Sequence, residues 1–277
     1  MLLFFRYLNL LSVDATLIAL VWQEVIAHTG NMEPRWYERA VLGISVWIIY
    51  NVDHLLDTLV LKKSIILPSR THHPVSIIVN QAPRHCFTAK HRLLFIFLVG
   101  IFLLVDISLA LKLTQHLLFA GIALSVAVIF YLGINTWLLT HTRWPCGREI
   151  VITLIFSLGT GLVPLLQSQE PALIVKSLFL FALLCLINTT VVARLEQGVP
   201  YESLLAPLNG KKTGWLAAMI IFLLALGFID HRVLIIKALF ISLLGLLLIP
   251  TIAKNWGNET ASLATDAALL LGAVFSL

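Results

Sequence analysis

Charged residues are scarce in this sequence: Asp, Glu, Lys and Arg make up 12% of the 277 residues, whereas hydrophobic residues make up 59%. The mean hydropathy is +0.96. A soluble domain carries about 25% charged residues, because its surface faces water. The composition therefore excludes an ordinary soluble domain and predicts an integral membrane protein. Nucleic acid is not an expected partner, since there is no soluble basic domain with interleaved aromatic residues.

Cysteine is also scarce, and the three cysteines, Cys86, Cys146 and Cys185, form no Cys-x-x-Cys pair. This absence argues against a disulfide framework. The sequence also lacks a Gly-x-Ser-x-Gly elbow, a His-Glu-x-x-His zinc signature and a Walker loop. No cleavable signal precedes the first apolar segment, so we expect that segment to stay in the mature protein.

Long apolar windows fill most of the chain. A helix needs roughly 20 such residues to cross a hydrocarbon core of about 30 Å. About nine windows meet this length, and they run from Leu8 to His28, Tyr37 to Leu61, Leu93 to Leu113, Leu117 to Thr140, Ile150 to Gln167, Ala172 to Ala193, Thr213 to Ile229, Val233 to Ala253 and Thr260 to Leu277. The sequence predicts an all-α integral membrane bundle, with residues 1–277 forming one multi-pass domain.

The distribution of Lys and Arg predicts the orientation. If the N-terminus is cytoplasmic, that side receives about twice as many Lys and Arg as the other, as the positive-inside rule expects. The longest connections, residues 62–92 and 194–212, then both lie on the cytoplasmic side. Acidic and polar residues near the cytoplasmic helix ends, among them Asp14, Glu149, Asn188 and Asp266, would form a polar floor beneath these basic loops.

The second predicted span contains Asp53 and Asp57, one helical turn apart. An Asp at the centre of a membrane helix costs about 2.5 to 3.5 kcal/mol on insertion scales, so an intramembrane acid indicates a functional site. Spacing of four residues places both acids on one helix face. A divalent cation would relieve their repulsion, and Mg²⁺ prefers such oxygen ligands. Alternatively, the acids pair with Lys or Arg from the adjoining loop and fix helix packing.

Two other polar residues in these spans have plainer interpretations. We expect His54 to pack or to donate a hydrogen bond, because it lies about 100° around the helix from Asp53. Asp106, in the outer half of the third span, is expected to be structural because it is far from the acid pair.

These features resemble the UbiA superfamily of intramembrane prenyltransferases. That family carries an Asn-Asp-x-x-Asp-x-x-x-Asp motif in its second helix, whose last two acids match Asp53 and Asp57, whereas its first two positions fall on Ile49 and Tyr50. A second family motif, Asp-x-x-Tyr-Ala-x-x-Asp, aligns with Thr189, Val192, Ala193 and Glu196, and keeps only the alanine and the last acid.

The resemblance implies a fold, an activity and a set of site residues. The fold is the UbiA-like bundle, and the activity is Mg²⁺-dependent transfer of a prenyl group from a prenyl diphosphate to an aromatic or lipid acceptor. The implied catalytic residues are Asp53, Asp57 and Glu196, and the implied metal ligands are these three with Asn188. The implied diphosphate-binding residues are Arg84, His85, Lys90, Arg92, Arg148, Lys211 and Lys212.

Two other functions stay open, a non-catalytic UbiA-like membrane scaffold and a transporter of small molecules or ions. Inverted repeats with paired broken helices, which many transporters have near the midplane, are not apparent. Internally bridged acids with no adjacent cavity would favour the scaffold, and a lipid-facing cavity beneath the basic loops would favour the enzyme. We expect the protein in a bacterial inner membrane, with its site facing the cytoplasm.

Overall fold

The computed structural model describes residues 10–66, 83–141, 147–196, 234–252 and 258–277. These ranges consist of α-helices and short turns, with no strand among them. In chain order the helices are α1 (Val13–Thr29), α2 (Trp36–Ile66), α3 (Pro83–Lys90), α4 (Arg92–Ala110), α5 (Gln115–His141), α6 (Gly147–Gln167), α7 (Pro171–Glu196), α8 (Leu234–Ile252) and α9 (Asn258–Val274). The all-helical prediction is confirmed for this part of the chain.

Each predicted span coincides with one of these helices except Thr213 to Ile229, which lies outside the described residues. Among the described residues, five helical segments are long and apolar enough to cross a membrane, and they belong to α2, α4, α5, α6 and α7. Shorter apolar segments lie in α8 and α9. The chain therefore has the helices of a multi-pass membrane protein, while the predicted total of about nine spans stays a prediction.

Helix α1 lies at the centre of the described bundle, where it packs against α2, α6, α7, α8 and α9. Trp22 on α1 is completely buried. Its ring stacks on Phe181 of α7 with centroids 4.5 Å apart, and its Nε1–H donates to the Leu269 carbonyl of α9 at 3.2 Å. One side chain thus joins three helices in the main apolar core.

Glu38 connects the start of α2 to the end of α6 through hydrogen bonds of its carboxylate. Its side chain is almost fully buried. Its Oε2 accepts a hydrogen bond from the Arg35 backbone N–H at 2.7 Å. This contact caps the helix from its third residue, as in a capping box. Its Oε1 accepts one from Gln167 Nε2 at 2.8 Å. Helix α2 therefore has a fixed position relative to α6, which in turn positions the side chains further along α2.

Helices α4 and α5 lie at the outside of the described bundle and expose large apolar side chains along most of their lengths. Although a short turn joins them, α4 packs mainly against α2 and α5 mainly against α6, and neither packs extensively against the other. They therefore diverge from their connecting turn. Such long exposed apolar faces are rare on soluble monomers and fit contact with lipid.

Part of the connection predicted between the second and third spans is helical. Helix α3 begins at Pro83, as proline favours the first position of a helix, and it packs against α2. The Phe87 ring lies edge-on to the buried Phe95 ring of α4, with centroids 6.1 Å apart. The chain therefore enters α4 beside α2, which is the helix that carries Asp53 and Asp57.

Candidate functional site

Asp53, His54 and Asp57 form a group on α2, called here the acidic cluster. One potential ligand atom from each side chain lies within 4.8 Å of the others. The two carboxylates are half-buried, and His54 is buried with 5% of its surface exposed. Neither Pro nor Gly interrupts residues 47–61, so an unbroken helix keeps the two acids on one face.

His54 belongs to this group although the sequence favoured a packing role for it. It precedes Asp57 by three residues, and residues three apart are neighbours on a helix surface. Its ring also packs edge-on against Tyr50, with centroids 6.5 Å apart. Packing agrees with the expectation from the sequence, and the i, i+3 relation to Asp57 is the signal in the sequence that places His54 beside that acid.

The donor set of the acidic cluster fits a divalent cation. Asp53 and Asp57 offer the carboxylate oxygens that Mg²⁺ and Mn²⁺ prefer, whereas an imidazole nitrogen suits zinc and other transition metals better. The set is therefore not specific for Mg²⁺. A hard cation would use the two acids, with His54 left to hydrogen-bond a ligand or water.

The predicted ligand Asn188 lies on α7, where its Nδ2 donates to Asp266 Oδ1 of α9 at 2.8 Å. Asn188 is buried, and its Oδ1 accepts no hydrogen bond from the described residues. The structure thus joins Asn188 to an acid that the predicted site omitted. The sequence placed Asp266 near a cytoplasmic helix end, but it follows no motif, so only the packing of α7 against α9 identifies its partner.

Two of the predicted diphosphate-binding residues, Lys90 and Arg92, are exposed where α3 ends and α4 begins. Helices α2 and α4 are antiparallel, since Ser45 Oγ donates to Asp106 Oδ2 at 2.8 Å while Trp47 packs on Phe102. Because both helices rise about 1.5 Å per residue, this alignment brings the first residues of α4 level with the acidic cluster.

The other predicted site residues cannot be related to the cluster in this way. Glu196, Arg84, His85 and Arg148 lie on α7, α3 and α6, but their side chains are outside the described part of the structure. Lys211 and Lys212 lie outside the described residues altogether. The roles that the resemblance implies for these six residues stay predictions.

An apolar cavity of about 570 Å³ lies between α1, α2, α4, α5 and α6. Tyr50 and Phe156 contribute to its wall, and their rings meet edge-on with centroids 6.4 Å apart. The acidic cluster does not line the cavity but lies beyond Tyr50, about one helical turn along α2. A sequence pattern could not reveal this space, because it depends on how helices that are distant in sequence pack together.

The part of the cavity away from the acidic cluster is lined by four polar residues, Gln23, Glu38, Ser45 and Asp106. We call this part the polar end of the cavity. Ser45 precedes Asp53 by eight residues, which is about 12 Å along a helix. The interpretation of Asp106 as distant from the acid pair agrees with this separation. Its contribution to a cavity wall was not predicted.

No family model, curated protein or solved structure matches this chain. The resemblance to the UbiA superfamily therefore depends on Asp53, Asp57, Ala193 and Glu196 and on the basic segment that follows the second span.

Proposed function

We propose that the protein binds a prenyl diphosphate through a divalent cation held by Asp53 and Asp57, and transfers the prenyl group to a lipophilic acceptor in the membrane. The observation that carries this proposal is the acidic cluster itself. Two carboxylates and an imidazole, with potential ligand atoms within 4.8 Å of one another, occupy one face of an apolar helix. Intramembrane acids are expensive, and a site that binds a cation and an anionic substrate would account for them.

The chemistry requires a departing diphosphate to be neutralised. Bound Mg²⁺ would supply part of that positive charge. Lys90 and Arg92, at the level of the cluster, would supply the rest by attracting the diphosphate oxygens. The allylic carbon–oxygen bond breaks and its electron pair stays with the diphosphate. The acceptor atom forms the new bond to that carbon, and the proton it loses goes to the departing diphosphate.

The alternative scaffold function receives less support. A scaffold was expected to have internally bridged acids and no adjacent cavity, whereas an apolar cavity with room for a ligand lies about one helical turn from the acidic cluster. The transporter interpretation has no specific observation in its favour.

Binding of geranylgeranyl diphosphate to the purified protein in nanodiscs tests the first half of the proposal. We expect binding that requires Mg²⁺ and that weakens at least about tenfold in the Asp53→Asn/Asp57→Asn double variant, because charge-assisted contacts are worth roughly 1.5 to 3 kcal/mol each. Glu170→Gln is the control, since Glu170 is an exposed acid in the turn between α6 and α7. Equal binding by the double variant, or binding indifferent to Mg²⁺, would contradict the proposal.

Transfer of the prenyl group needs a separate measurement. The wild-type protein is incubated with Mg²⁺, radiolabelled geranylgeranyl diphosphate and a bacterial membrane lipid extract, and label covalently attached to lipid is counted after chromatography. We expect incorporation that the double variant lacks. Mg²⁺-dependent binding without incorporation, across several prenyl lengths and extracts, would instead favour a scaffold that binds diphosphates.

A further inference from the structure

The polar end of the cavity contains a buried side chain with unmet hydrogen-bonding capacity. Gln23 on α1 has no exposed surface, and neither its Oε1 nor its Nε2 has a hydrogen-bond partner among the described residues. Leaving a buried polar group unpaired costs about 1 to 3 kcal/mol. Gln23 lines the cavity without exposing surface to it, so a rotation of its side chain would bring the unpaired amide to a molecule in the cavity.

Asp106 offers another open position in the same cavity wall. Its Oδ2 accepts the Ser45 hydroxyl, whereas its buried Oδ1 has no partner among the described residues. Glu38 differs, since both of its oxygens are already used by Arg35 N–H and Gln167. The polar end therefore offers an amide donor, an amide acceptor and one carboxyl oxygen to a ligand.

The remainder of the cavity would contact hydrocarbon. Its other walls are mainly Leu, Ile and Val side chains of α2, α4, α5 and α6. A volume of about 570 Å³ lies within the range of roughly 300 to 1,000 Å³ typical of small-molecule sites. Mostly apolar walls with a few convergent polar groups are also the usual composition of such sites.

Access to the cavity runs between α4 and α5. These two helices diverge and both contribute to the wall. Leu103 on α4 and Ile122 on α5, one on each side of the gap, line the cavity yet expose 46% and 51% of their surfaces. In a bilayer this gap faces lipid, so a ligand would arrive from the hydrocarbon phase. A permanently charged head group would be unfavourable on that route.

We infer that the cavity binds an uncharged amphipathic molecule, a lipid-soluble alcohol or phenol, with its hydroxyl group at the polar end and its hydrocarbon body along the apolar walls. A hydroxyl group both donates and accepts, so it can accept a hydrogen bond from Gln23 Nε2 and donate one to Gln23 Oε1, or donate one to Asp106 Oδ1. This inference does not depend on prenyl transfer, because the polar end is separate from the acidic cluster.

Photoaffinity labelling tests the inference without Mg²⁺ or any diphosphate. The protein in nanodiscs is irradiated with a diazirine-bearing alkylphenol, with para-octylphenol or octylbenzene as competitor, and labelled peptides are identified by mass spectrometry. We expect labelling in residues 103–131, with para-octylphenol competing about three- to tenfold better than octylbenzene. That ratio corresponds to about one neutral hydrogen bond.

Two glycines of α5 provide a matched pair of variants. A Cβ at Gly121 or at Gly133 meets no atom within 4 Å, so both positions accept a larger side chain, but only Gly121 lines the cavity. We expect Gly121→Phe to abolish labelling and Gly133→Phe to leave it unchanged. Unaltered labelling in Gly121→Phe, or equal loss in both variants, would overturn the inference.

Gln23→Leu separates ligand recognition from a purely structural role. We expect it to remove the preference for para-octylphenol over octylbenzene while raising the thermal stability of the empty protein, since an unpaired buried amide is replaced by an apolar group. A lower stability together with an unchanged preference would show that Gln23 serves packing alone and would contradict the proposed site.

Discussion

Trp22 shows how much of this bundle depends on single side chains. Replacing it with Phe keeps an aromatic ring against Phe181 but removes the hydrogen bond to the Leu269 carbonyl and part of the buried volume. We expect Trp22→Phe to destabilise the protein by about 2 kcal/mol, about half from the lost bond and the rest from the void. The measurement is the temperature at which the detergent-solubilised protein loses its monodisperse size-exclusion peak.

Trp36→Phe is the control for this prediction. Trp36 exposes 61% of its surface at the start of α2, and exposed substitutions usually change stability by less than about 0.5 kcal/mol. Its ring contacts Lys112, whose Nζ lies 5.2 Å from the ring centroid, and a phenyl ring can keep much of that contact. Equal losses from Trp22→Phe and Trp36→Phe would mean that the contacts of Trp22 with α7 and α9 do not govern stability.

Single residues were predictable from the sequence only where they follow a helical period. Asp53 and Asp57 are one turn apart in an apolar segment, so their shared face could be predicted. Gln23 is followed by the charged Glu24 in a mainly apolar segment, and nothing in the sequence tells which of the two faces a cavity. The pairing of Asp266 with Asn188 is likewise recognisable only after α7 and α9 have packed, because the two residues are 78 positions apart.

Helices α8 and α9 approach so closely that a glycine is required between them. A Cβ added at Gly272 would clash with Ser242 Oγ and would lie 2.7 Å from the Ala238 carbonyl oxygen. A side-chain oxygen can rotate away, but a helical backbone carbonyl cannot. Close helix contact through small residues is a general feature of membrane bundles.

We therefore expect Gly272→Ala to force α8 and α9 apart and to lower the temperature of unfolding in detergent, with a cost of about 1 to 3 kcal/mol for overpacking. Gly100→Ala is the matched control on α4, where an added Cβ meets nothing within 4 Å. It should be neutral or stabilising by up to about 1 kcal/mol, because Ala favours a helix over Gly. Tolerance of Gly272→Ala with unchanged stability would show that this helix contact is looser than described.

At the scale of helices, hydropathy predicted positions better than it predicted packing. The windows from Tyr37 to Leu61 and from Leu93 to Leu113 match α2 and α4 closely, because long apolar runs leave few alternatives to a helix. Helix α3 was not predicted, since its eight residues are polar on average and its stability comes from packing against α2 and Phe95. The divergence of α4 and α5 was not predictable either, because apolar residues face lipid and protein alike.

The whole molecule presents two apolar helices to its surroundings, and this gives a direct test of the membrane assignment. Leu104 and Leu111 expose 70% and 72% of their surfaces, so they differ little in local packing. Leu104 lies within α4, whereas Leu111 adjoins Lys112 at the turn into α5. In a bilayer the first faces hydrocarbon and the second lies close to the interface.

Lysine should therefore be tolerated very differently at these two positions. We expect Leu104→Lys to reduce the amount of folded protein recovered from membranes severalfold, since a Lys near the centre of a membrane helix costs about 2.5 to 3.5 kcal/mol. Leu111→Lys should be recovered at nearly wild-type levels, because a Lys side chain there can reach the interface. Recovery is compared by fluorescence-detected size-exclusion chromatography of detergent extracts. If Leu104→Lys were recovered as well as Leu111→Lys, α4 would not face the hydrocarbon core, and the lipid route into the cavity would lose its physical basis.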